Sequence, residues 1–251
     1  MSLLEVDDLT QRFGRLAALN RVSFTLGAGE IVGLIGPNGA GKTTFVNTIA
    51  GAFRNWTGRV RFVEQPLRGR NPHQIARMGI ARTYQVVQPF AEMSALENVM
   101  VGALHGRGEG LSVAAAREVA AETLDRLGLA EIAHLRAERL NIPQRKRLEL
   151  ARALVMRPRL LMLDEIMAGL SAKEVDELVG VVRNIRDGGV TVLLIEHVMQ
   201  AIASLSDRII VLHHGQKVAE GSPKTVFSDE GVIGAYLGAR PVAGRRDEEV
   251  D

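Results

Sequence analysis

A glycine-rich loop decides the fold of this chain, and it reads Gly36-Pro37-Asn38-Gly39-Ala40-Gly41-Lys42-Thr43-Thr44. It satisfies the pattern G-x-x-x-x-G-K-[ST] and lies between the apolar run Ile31–Ile35 and a helix-like stretch at 45–50. Glycines let successive backbone N–H groups curl around phosphate oxygens, and the start of the following helix attracts negative charge. The alternative is a turn that meets the pattern by accident, which the flanking strand and helix disfavour. The loop therefore predicts a nucleotide phosphate site.

Two side chains at the end of this loop supply the chemistry that such a site needs. Lys42 brings a point charge to the β- and γ-phosphates, and the hydroxyl of Thr43 can ligate Mg²⁺. We therefore predict that all residues of the loop contact the nucleotide and that Thr43 also contacts the metal.

The composition excludes several other classes of protein. The 251 residues are 46% hydrophobic and 24% charged, which is typical of globular proteins and not of disordered or fibrous ones. The absence of cysteine excludes disulfides, thiolate nucleophiles and Cys-ligated zinc. The net charge of only +2 gives no reason to expect nucleic-acid binding. No signal peptide is visible, and the apolar runs are far shorter than the roughly 18–20 residues that span a bilayer. We expect a soluble chain that can dock onto a membrane protein.

The order of apolar runs and helical patterns predicts an α/β domain with an insert. Strands are predicted at 3–9, 22–26, Ile31–Ile35, 59–63, 159–163, Thr191–Ile195, 208–212 and 217–219. Strands and helices alternate in the second half, which favours a parallel sheet. Residues from about 86 to 157 contain helical stretches at 114–127 and 145–156 and no convincing strand. We therefore predict one domain over 1–239 with a helical insert at about 86–157, followed by a polar tail at 240–251.

Two adjacent acids, Asp164 and Glu165, end an apolar strand. In proteins with this phosphate loop, the acid at such a strand end holds Mg²⁺, which points to Asp164. Adjacent residues at a strand end can point differently, so Glu165 can orient the water that attacks the γ-phosphate. The alternative is a solvated strand end with two acids, which the phosphate loop makes less attractive.

Two polar residues follow other predicted strands. A neutral imidazole at His197, after Thr191–Ile195, can hydrogen-bond a γ-phosphate or the attacking water, although a lone histidine there is usually structural. Gln85 follows a run at 80–84 and is a weaker candidate, because glutamine at a strand end is ordinarily a surface residue.

The phosphate loop, Gln85, the Asp164-Glu165 pair and His197 occur in the order and spacing of ATP-binding-cassette (ABC) ATPases. The resemblance extends over about residues 3–238 and is strongest to the ATP-binding subunits of branched-chain amino acid importers. The segments that support it are Arg82-Thr83-Tyr84-Gln85, Ala168-Gly169-Leu170, Ile195-Glu196-His197-Val198-Met199 and Ala235-Tyr236-Leu237-Gly238.

This resemblance implies a RecA-like P-loop core, an antiparallel β subdomain and an inserted α-helical subdomain, with ATP and Mg²⁺ as ligands. By resemblance, Phe13 stacks on adenine, the alternative being a core phenylalanine. Gln85 senses Mg²⁺ and the γ-phosphate, Glu165 is the general base and His197 is the γ-phosphate sensor. The insert, especially 86–101, forms a groove for a cytoplasmic helix of a membrane subunit.

The resemblance also implies partners and a location. The expected partners are integral membrane permease subunits, a second ATP-binding subunit and, indirectly, a solute-binding protein, with the chain peripheral on the cytoplasmic face of the cell membrane. Three alternatives stay open: a soluble ABC ATPase acting on DNA or ribosomes, a P-loop kinase and a binding-only regulatory subunit. The absence of tandem cassettes, coiled coils and basic arms disfavours the first, and no nucleic-acid partner is expected.

The chain departs from the family pattern in its signature segment. Leu140-Asn141-Ile142-Pro143-Gln144 stands where most members have Leu-Ser-Gly-Gly-Gln. Asn141 is a good helix N-cap, but Pro143 has no N–H to offer a phosphate, a loss of roughly 1.5–3 kcal/mol if that group normally binds it. The sequence therefore predicts that Asn141 and Gln144 face a partner's ATP in a weakened signature, which favours a heterodimer; a subfamily variant with a shifted backbone is the alternative.

A second departure follows the acid pair. Ser171 and Ile166 replace a common Asp and Pro, which puts communication across the dimer in doubt.

Overall fold

The computed structural model describes residues 2–84, 88–106 and 110–237. The strands are β1 (Ser2–Phe13), β2 (Leu16–Gly27), β3 (Ile31–Ile35), β4 (Trp56–Phe62), β5 (Gln65–Pro66), β6 (Ile80–Arg82), β7 (Leu160–Asp164), β8 (Thr191–Ile195), β9 (Arg208–His213) and β10 (Gln216–Gly221). The helices are α1 (Lys42–Ile49), α2 (Pro72–Met78), α3 (Ala95–His105), α4 (Val113–Arg126), α5 (Ile142–Leu154), α6 (Ala172–Asp187), α7 (Met199–Leu205), α8 (Pro223–Phe227) and α9 (Glu230–Leu237), with short 3₁₀ turns at Ala130–Ile132 and Ala137–Arg139.

A six-stranded sheet forms the centre of the molecule, in the order β10-β9-β3-β8-β7-β6. All neighbouring pairs from β9 to β6 are parallel, and every residue of β3, β7 and β8 is buried. Such strands carry apolar side chains on both faces, which is why their sequences are continuously apolar. Because Asp164 pairs with Ile195, β7 and β8 end level with each other. The segments that follow β3, β7 and β8 therefore meet at one edge of the sheet, where ligands bind in open α/β sheets.

A four-stranded antiparallel sheet, in the order β2-β1-β4-β5, packs against the central sheet. The Phe24 ring on β2 lies 5.0 Å from the Phe45 ring on α1. Arg208 on β9 joins the two sheets, because its Nη2 lies 2.8 Å from Glu30 Oε1 and also bonds to the carbonyl of Thr25 on β2. The same guanidinium pairs with Glu220 on β10.

The helices α3, α4 and α5 pack together beside the central sheet as a helical subdomain. α3 and α5 approach closely at Gly102, where a Cβ atom would lie 2.7 Å from the carbonyl oxygen of Arg152. The helical stretches predicted at 114–127 and 145–156 are confirmed as α4 and α5. The boundaries of the insert and of the polar tail stay predictions.

The strand predictions are confirmed in position, but the structure differs in extent and direction. The predicted runs at 3–9 and 22–26 extend to 12 residues each, because β1 and β2 continue as a hairpin with register shifts. The central sheet is not wholly parallel, since β10 pairs antiparallel with β9 through the turn at His214 and Gly215. Among the described residues, no helix has the length and apolar character that crossing a membrane requires.

Candidate active site

The loop at 36–44 connects β3 to α1 and has the conformation that its glycines permit. Gly39 and Gly41 have φ angles of +79° and +106°, which disfavour other residues. Gly36 lies against the neighbouring chain segment, since a Cβ atom on it would approach the carbonyl oxygen of Leu212 to 2.2 Å. Helix α1 begins after Gly41 with no side chain bonded to its first turn. Its leading N–H groups can therefore receive a phosphate.

The predicted nucleotide contacts differ in accessibility along this loop. Gly36 and Ala40 are buried, Pro37 and Thr44 are half-buried, and Asn38, Gly39 and Thr43 are exposed. The Thr43 hydroxyl therefore stands at the open side of the loop, where a metal could reach it.

Lys42 lies across the loop. Its Nζ donates hydrogen bonds to the carbonyl oxygens of Gly36, at 2.6 Å, and Pro37, at 3.1 Å. Burial lowers the pKa of Lys42, and the nearby carboxylates of Glu165 and Asp164 oppose that change. The structure thus brings Lys42 and the two predicted acids into one electrostatic site.

Asp164 ends β7 with only 2% of its surface exposed. Its backbone N–H donates to Thr83 Oγ1 at 3.0 Å, which fixes the end of the strand. Burial raises the pKa of this carboxyl, and the guanidinium of Arg82, 3.5 Å away, opposes the shift. A buried carboxylate of this kind is stabilised by a neighbouring cation.

Glu165 follows Asp164 in an uncommon backbone conformation, with a φ of +53°. Its N–H donates to the carbonyl of Ile195 at 2.8 Å. Glu165 Oε1 then lies 2.8 Å from His197 Nε2. The structure therefore brings together the predicted general base and the predicted γ-phosphate sensor.

The segment after Glu165 is held from two sides by residues to which sequence reasoning gave no role. Lys146 Nζ on α5 donates to the backbone carbonyl of Glu165 at 3.0 Å. Glu196, directly before His197, is 1% exposed and accepts a hydrogen bond from the N–H of Met167 at 2.8 Å. Burial raises the pKa of Glu196 to about 7, with a smaller contribution from Glu165. The sequence does carry one signal for Glu196, because this residue directly follows the apolar run Thr191–Ile195, which is buried throughout.

Phe13 lies at the end of β1, away from this cluster of charges. It is 45% exposed and meets the Phe53 ring edge-on, with centroids 5.1 Å apart and planes at 81°. The alternative of a core phenylalanine is therefore wrong. Its role toward adenine stays a prediction.

The signature segment starts helix α5 with a closed hydrogen-bond pattern. Asn141 is the N-cap residue, as predicted: its Oδ1 accepts from the Gln144 N–H at 2.9 Å, while Gln144 Oε1 accepts from the Asn141 N–H at 3.0 Å. Pro143 has no N–H, and Ile142 is 59% exposed. Of the backbone N–H groups at positions 141–144, only that of Ile142 remains for a ligand. The start of α1, in contrast, has no side-chain cap.

Three other sequence predictions concern neighbouring positions. Gln85 lies outside the described residues. Ser171 caps helix α6 through a capping box with Glu174, so the hydroxyl has a structural task at this position. Ile166 is buried in the same hydrophobic core as Met167.

Comparison with known proteins agrees with this geometry. A sequence profile of the ABC transporter family matches residues 19–168. The chain belongs to the ABC transporter family. Its antiparallel β subdomain, P-loop core and helical subdomain are those of an ABC ATPase, and it is an ATP-binding subunit whose ATP hydrolysis drives transport.

Relatives of this ABC ATPase extend over nearly the whole chain. It is 41% identical over 249 residues to the high-affinity branched-chain amino acid transport ATP-binding protein BraF of Pseudomonas aeruginosa, an alignment that covers 94% of this chain and 98% of that protein. It is 42% identical over 251 residues to the corresponding protein LivG of Escherichia coli, with the same shares covered. It also resembles the crystal structure of a nucleotide-free ATP-binding cassette from an ABC transporter, with a TM-score of 0.86, 30% identity and coverage of 95% and 100%.

Proposed function

We propose that this ABC ATPase energises the import of branched-chain amino acids or related small polar solutes. The names of its relatives BraF and LivG support this substrate class. The observation that carries the catalytic part is the Glu165–His197 pair, 2.8 Å apart, at the sheet edge that also holds the phosphate loop. We further propose that residues 1–239 form the ABC domain, with the helical insert at about 86–157 and a polar tail at 240–251.

In the proposed mechanism, the N–H groups of the loop 36–44 and the Nζ of Lys42 hold the β- and γ-phosphates. Glu165 accepts a proton from water as the water oxygen bonds to the γ-phosphorus, and the bond from that phosphorus to the β–γ bridging oxygen breaks to release ADP. His197 orients Glu165 and contacts the γ-phosphate. Phe13 stacks on the adenine, and Gln85 approaches the γ-phosphate and the metal.

Mg²⁺ fits the oxygen donors of this site. Thr43 offers an exposed hydroxyl, and Asp164 offers a buried carboxylate whose pKa is raised by burial. Within the described residues, no group of three or more His, Cys, Asp or Glu forms a metal cage. One carboxylate with substrate phosphates is the usual way in which proteins bind Mg²⁺. When bound, Mg²⁺ neutralises charge on the phosphates, and Thr43, Asp164 and Gln85 would hold it.

A groove between the central sheet and the helical subdomain supports docking of permease subunits. It encloses about 550 Å³ and includes Ile75, Arg82, Tyr84, Gly102, Glu149 and Met156 among its lining residues. We propose that a cytoplasmic helix of a membrane permease occupies this groove. The chain then lies at the cytoplasmic face of the cell membrane, and a solute-binding protein acts on it only through the permease.

The start of α5 favours a second proposal, that the partner ATPase is a different chain. A homodimer would place the closed capping box of Asn141 and Gln144 opposite both nucleotides. A heterodimer leaves one site with an intact signature from the partner chain. The nucleotide at that site is then bound more tightly by roughly 1.5–3 kcal/mol, the contribution of one hydrogen bond to a charged group.

The test is reconstitution of this chain with candidate permease subunits, with and without a candidate second ATP-binding subunit. We expect leucine uptake into proteoliposomes that requires internal ATP and is lost with Lys42→Ala. ATP hydrolysis without uptake of leucine, isoleucine or valine would refute the proposed substrate class. If complexes that hold two copies of this chain take up leucine as fast as complexes with a second ATPase, the heterodimer proposal is refuted.

A further inference from the structure

Arg82 connects the groove to the buried carboxylate of the phosphate site. It ends β6, and only 10% of its side chain is exposed. Its Nη2 lies 3.5 Å from Asp164 Oδ2, and its Nη1 donates to Asn47 Oδ1 on α1 at 2.6 Å. The guanidinium therefore bridges the strand that ends in Asp164 and the helix that follows the phosphate loop.

Two further contacts fix the orientation of this guanidinium. Its Nε donates to the backbone carbonyl of Thr83 at 3.2 Å, and the hydroxyl of Thr83 accepts from the N–H of Asp164. The Cζ atom lies 4.4 Å from the centroid of the Tyr84 ring, which covers the guanidinium on the groove side. Tyr84 itself is 56% exposed. A planar cation with several donors can make all these contacts together, whereas an ammonium group cannot.

These contacts restrain the Asp164 side chain, which is only 3% exposed. The Arg82 guanidinium faces Asp164 Oδ2 at 3.5 Å and is itself held by Asn47 Oδ1 at 2.6 Å. Without Arg82, the Asp164 carboxylate would lose this link to helix α1 and with it a restraint on its orientation.

We propose that Arg82 is a positioning residue that holds the Asp164 carboxylate in the orientation needed to bind Mg²⁺-nucleotide. This inference rests on the proposed metal role of Asp164.

The experiment measures equilibrium binding of a fluorescent ADP analogue to the full chain over a range of Mg²⁺ concentrations, with EDTA as the metal-free reference. Arg82→Gln should raise the Mg²⁺ concentration for half-maximal enhancement of binding about five- to tenfold, which corresponds to about 1 kcal/mol. Metal-free binding should stay within twofold of wild type. Arg82→Lys should lie between the two, because it keeps the charge but cannot contact Asn47 and Asp164 together.

Arg68→Gln is the matched control, since Arg68 also lies over an aromatic ring, that of Trp56 at 5.7 Å, but is in the turn that follows β5. Its Mg²⁺ midpoint should equal that of wild type. Equal midpoints for Arg82→Gln and Arg68→Gln, in proteins of unchanged melting temperature, would overturn the inference. If Arg82→Gln unfolds the chain, the Mg²⁺ midpoint of Arg82→Lys is the test: a midpoint above that of wild type supports the inference, and an equal midpoint overturns it. Asp164→Asn separates the two proposals: if it titrates like wild type, the metal role of Asp164 is what fails.

Discussion

The carboxyl of Glu196, the residue directly before His197, accepts a hydrogen bond of 2.8 Å from the backbone N–H of Met167. This contact ties the segment after Glu165 to the segment that carries His197. Within the described residues the second oxygen, Oε2, is buried and makes no hydrogen bond. A neutral carboxyl suits this position better than a carboxylate, because an ion with an unpaired oxygen is costly to bury.

The first prediction concerns pH and stability. Because the pKa of Glu196 is raised from 4.5 to about 7, the folded protein retains this proton at pH values where the unfolded chain has lost it. The stabilisation is complete below pH 4.5 and is lost as the pH rises through 7. Between pH 5 and pH 8, the free energy of unfolding of wild type should fall relative to Glu196→Gln by about 2–3 kcal/mol.

Urea unfolding of both proteins across this pH range measures the difference. Glu5→Gln, a substitution on an exposed position of β1, is the control and should follow the wild-type curve. Parallel curves for wild type and Glu196→Gln would contradict the prediction.

The second prediction separates ATP binding from hydrolysis. Glu165→Gln keeps a hydrogen-bonding group beside His197 but cannot accept a proton from water. We expect ATP turnover to fall about 10²- to 10⁴-fold while the affinity for ATP stays within a fewfold of wild type. Single-turnover hydrolysis and equilibrium binding provide the two numbers. Glu174→Gln, in the capping box of α6, should hydrolyse ATP normally. Comparable turnover by both variants would argue against Glu165 as the base.

The third prediction concerns the closed start of α5. Asn141→Ser combined with Ile142→Gly and Pro143→Gly restores the backbone N–H that Pro143 lacks and removes the bulk of the Ile142 side chain. We expect ATP-driven association in a Glu165→Gln background to strengthen at least fivefold, as one added hydrogen bond to a charged group would allow. Sedimentation with and without ATP measures it.

Helix α2 provides a control for that substitution. It begins with the same kind of capping box, formed by Asn71 and Gln74, and also carries a proline in its first turn. Asn71→Ser with His73→Gly should destabilise α2 by a similar amount and leave association unchanged. An equal response to both sets of substitutions would show that the effect does not come from the signature.

The fourth prediction compares two glycines of the phosphate loop. Gly36→Ala places a Cβ atom 2.2 Å from the carbonyl oxygen of Leu212, and the backbone must move to relieve this contact. Gly39→Ala meets no atom within 4 Å and has only the strain of its φ angle of +79°, about 1–2 kcal/mol. Gly36→Ala should therefore abolish ATP binding, whereas Gly39→Ala should retain it with a lower melting temperature. Similar binding by both variants would contradict this account of the loop.

Local sequence patterns were sufficient for the parts of this site that lie next to strands. The phosphate loop after β3 and the acid pair after β7 follow from apolar runs and turn chemistry, which are properties of neighbouring residues. Arg82 and Lys146 could not be found in this way, because their partners lie on other elements, at Asp164 and at the carbonyl of Glu165. Their roles depend on how the strands and α5 pack against each other, and the spacing of apolar residues along the sequence does not reveal that packing.

The same distinction explains the differences in the fold. A strand such as β10 has an exposed, polar pattern and takes its direction from the turn at Gly215, so its antiparallel pairing was not visible in apolar periodicity. The N-cap role of Asn141 was predictable from residue type, but the return bond from Gln144 closes the helix start more fully than the missing glycines indicate.

The ion pairs of Arg208 have a mechanical consequence for nucleotide recognition. Through Glu30 and Thr25, this residue fastens the sheet that carries Phe13 to the sheet that carries the phosphate loop. In the proposed binding mode, the base contacts one of these sheets and the phosphates contact the other. The distance between Phe13 and Lys42 then sets the length of ligand that fits, so a nucleoside triphosphate with an enlarged base or ribose should bind with its phosphates displaced from Lys42.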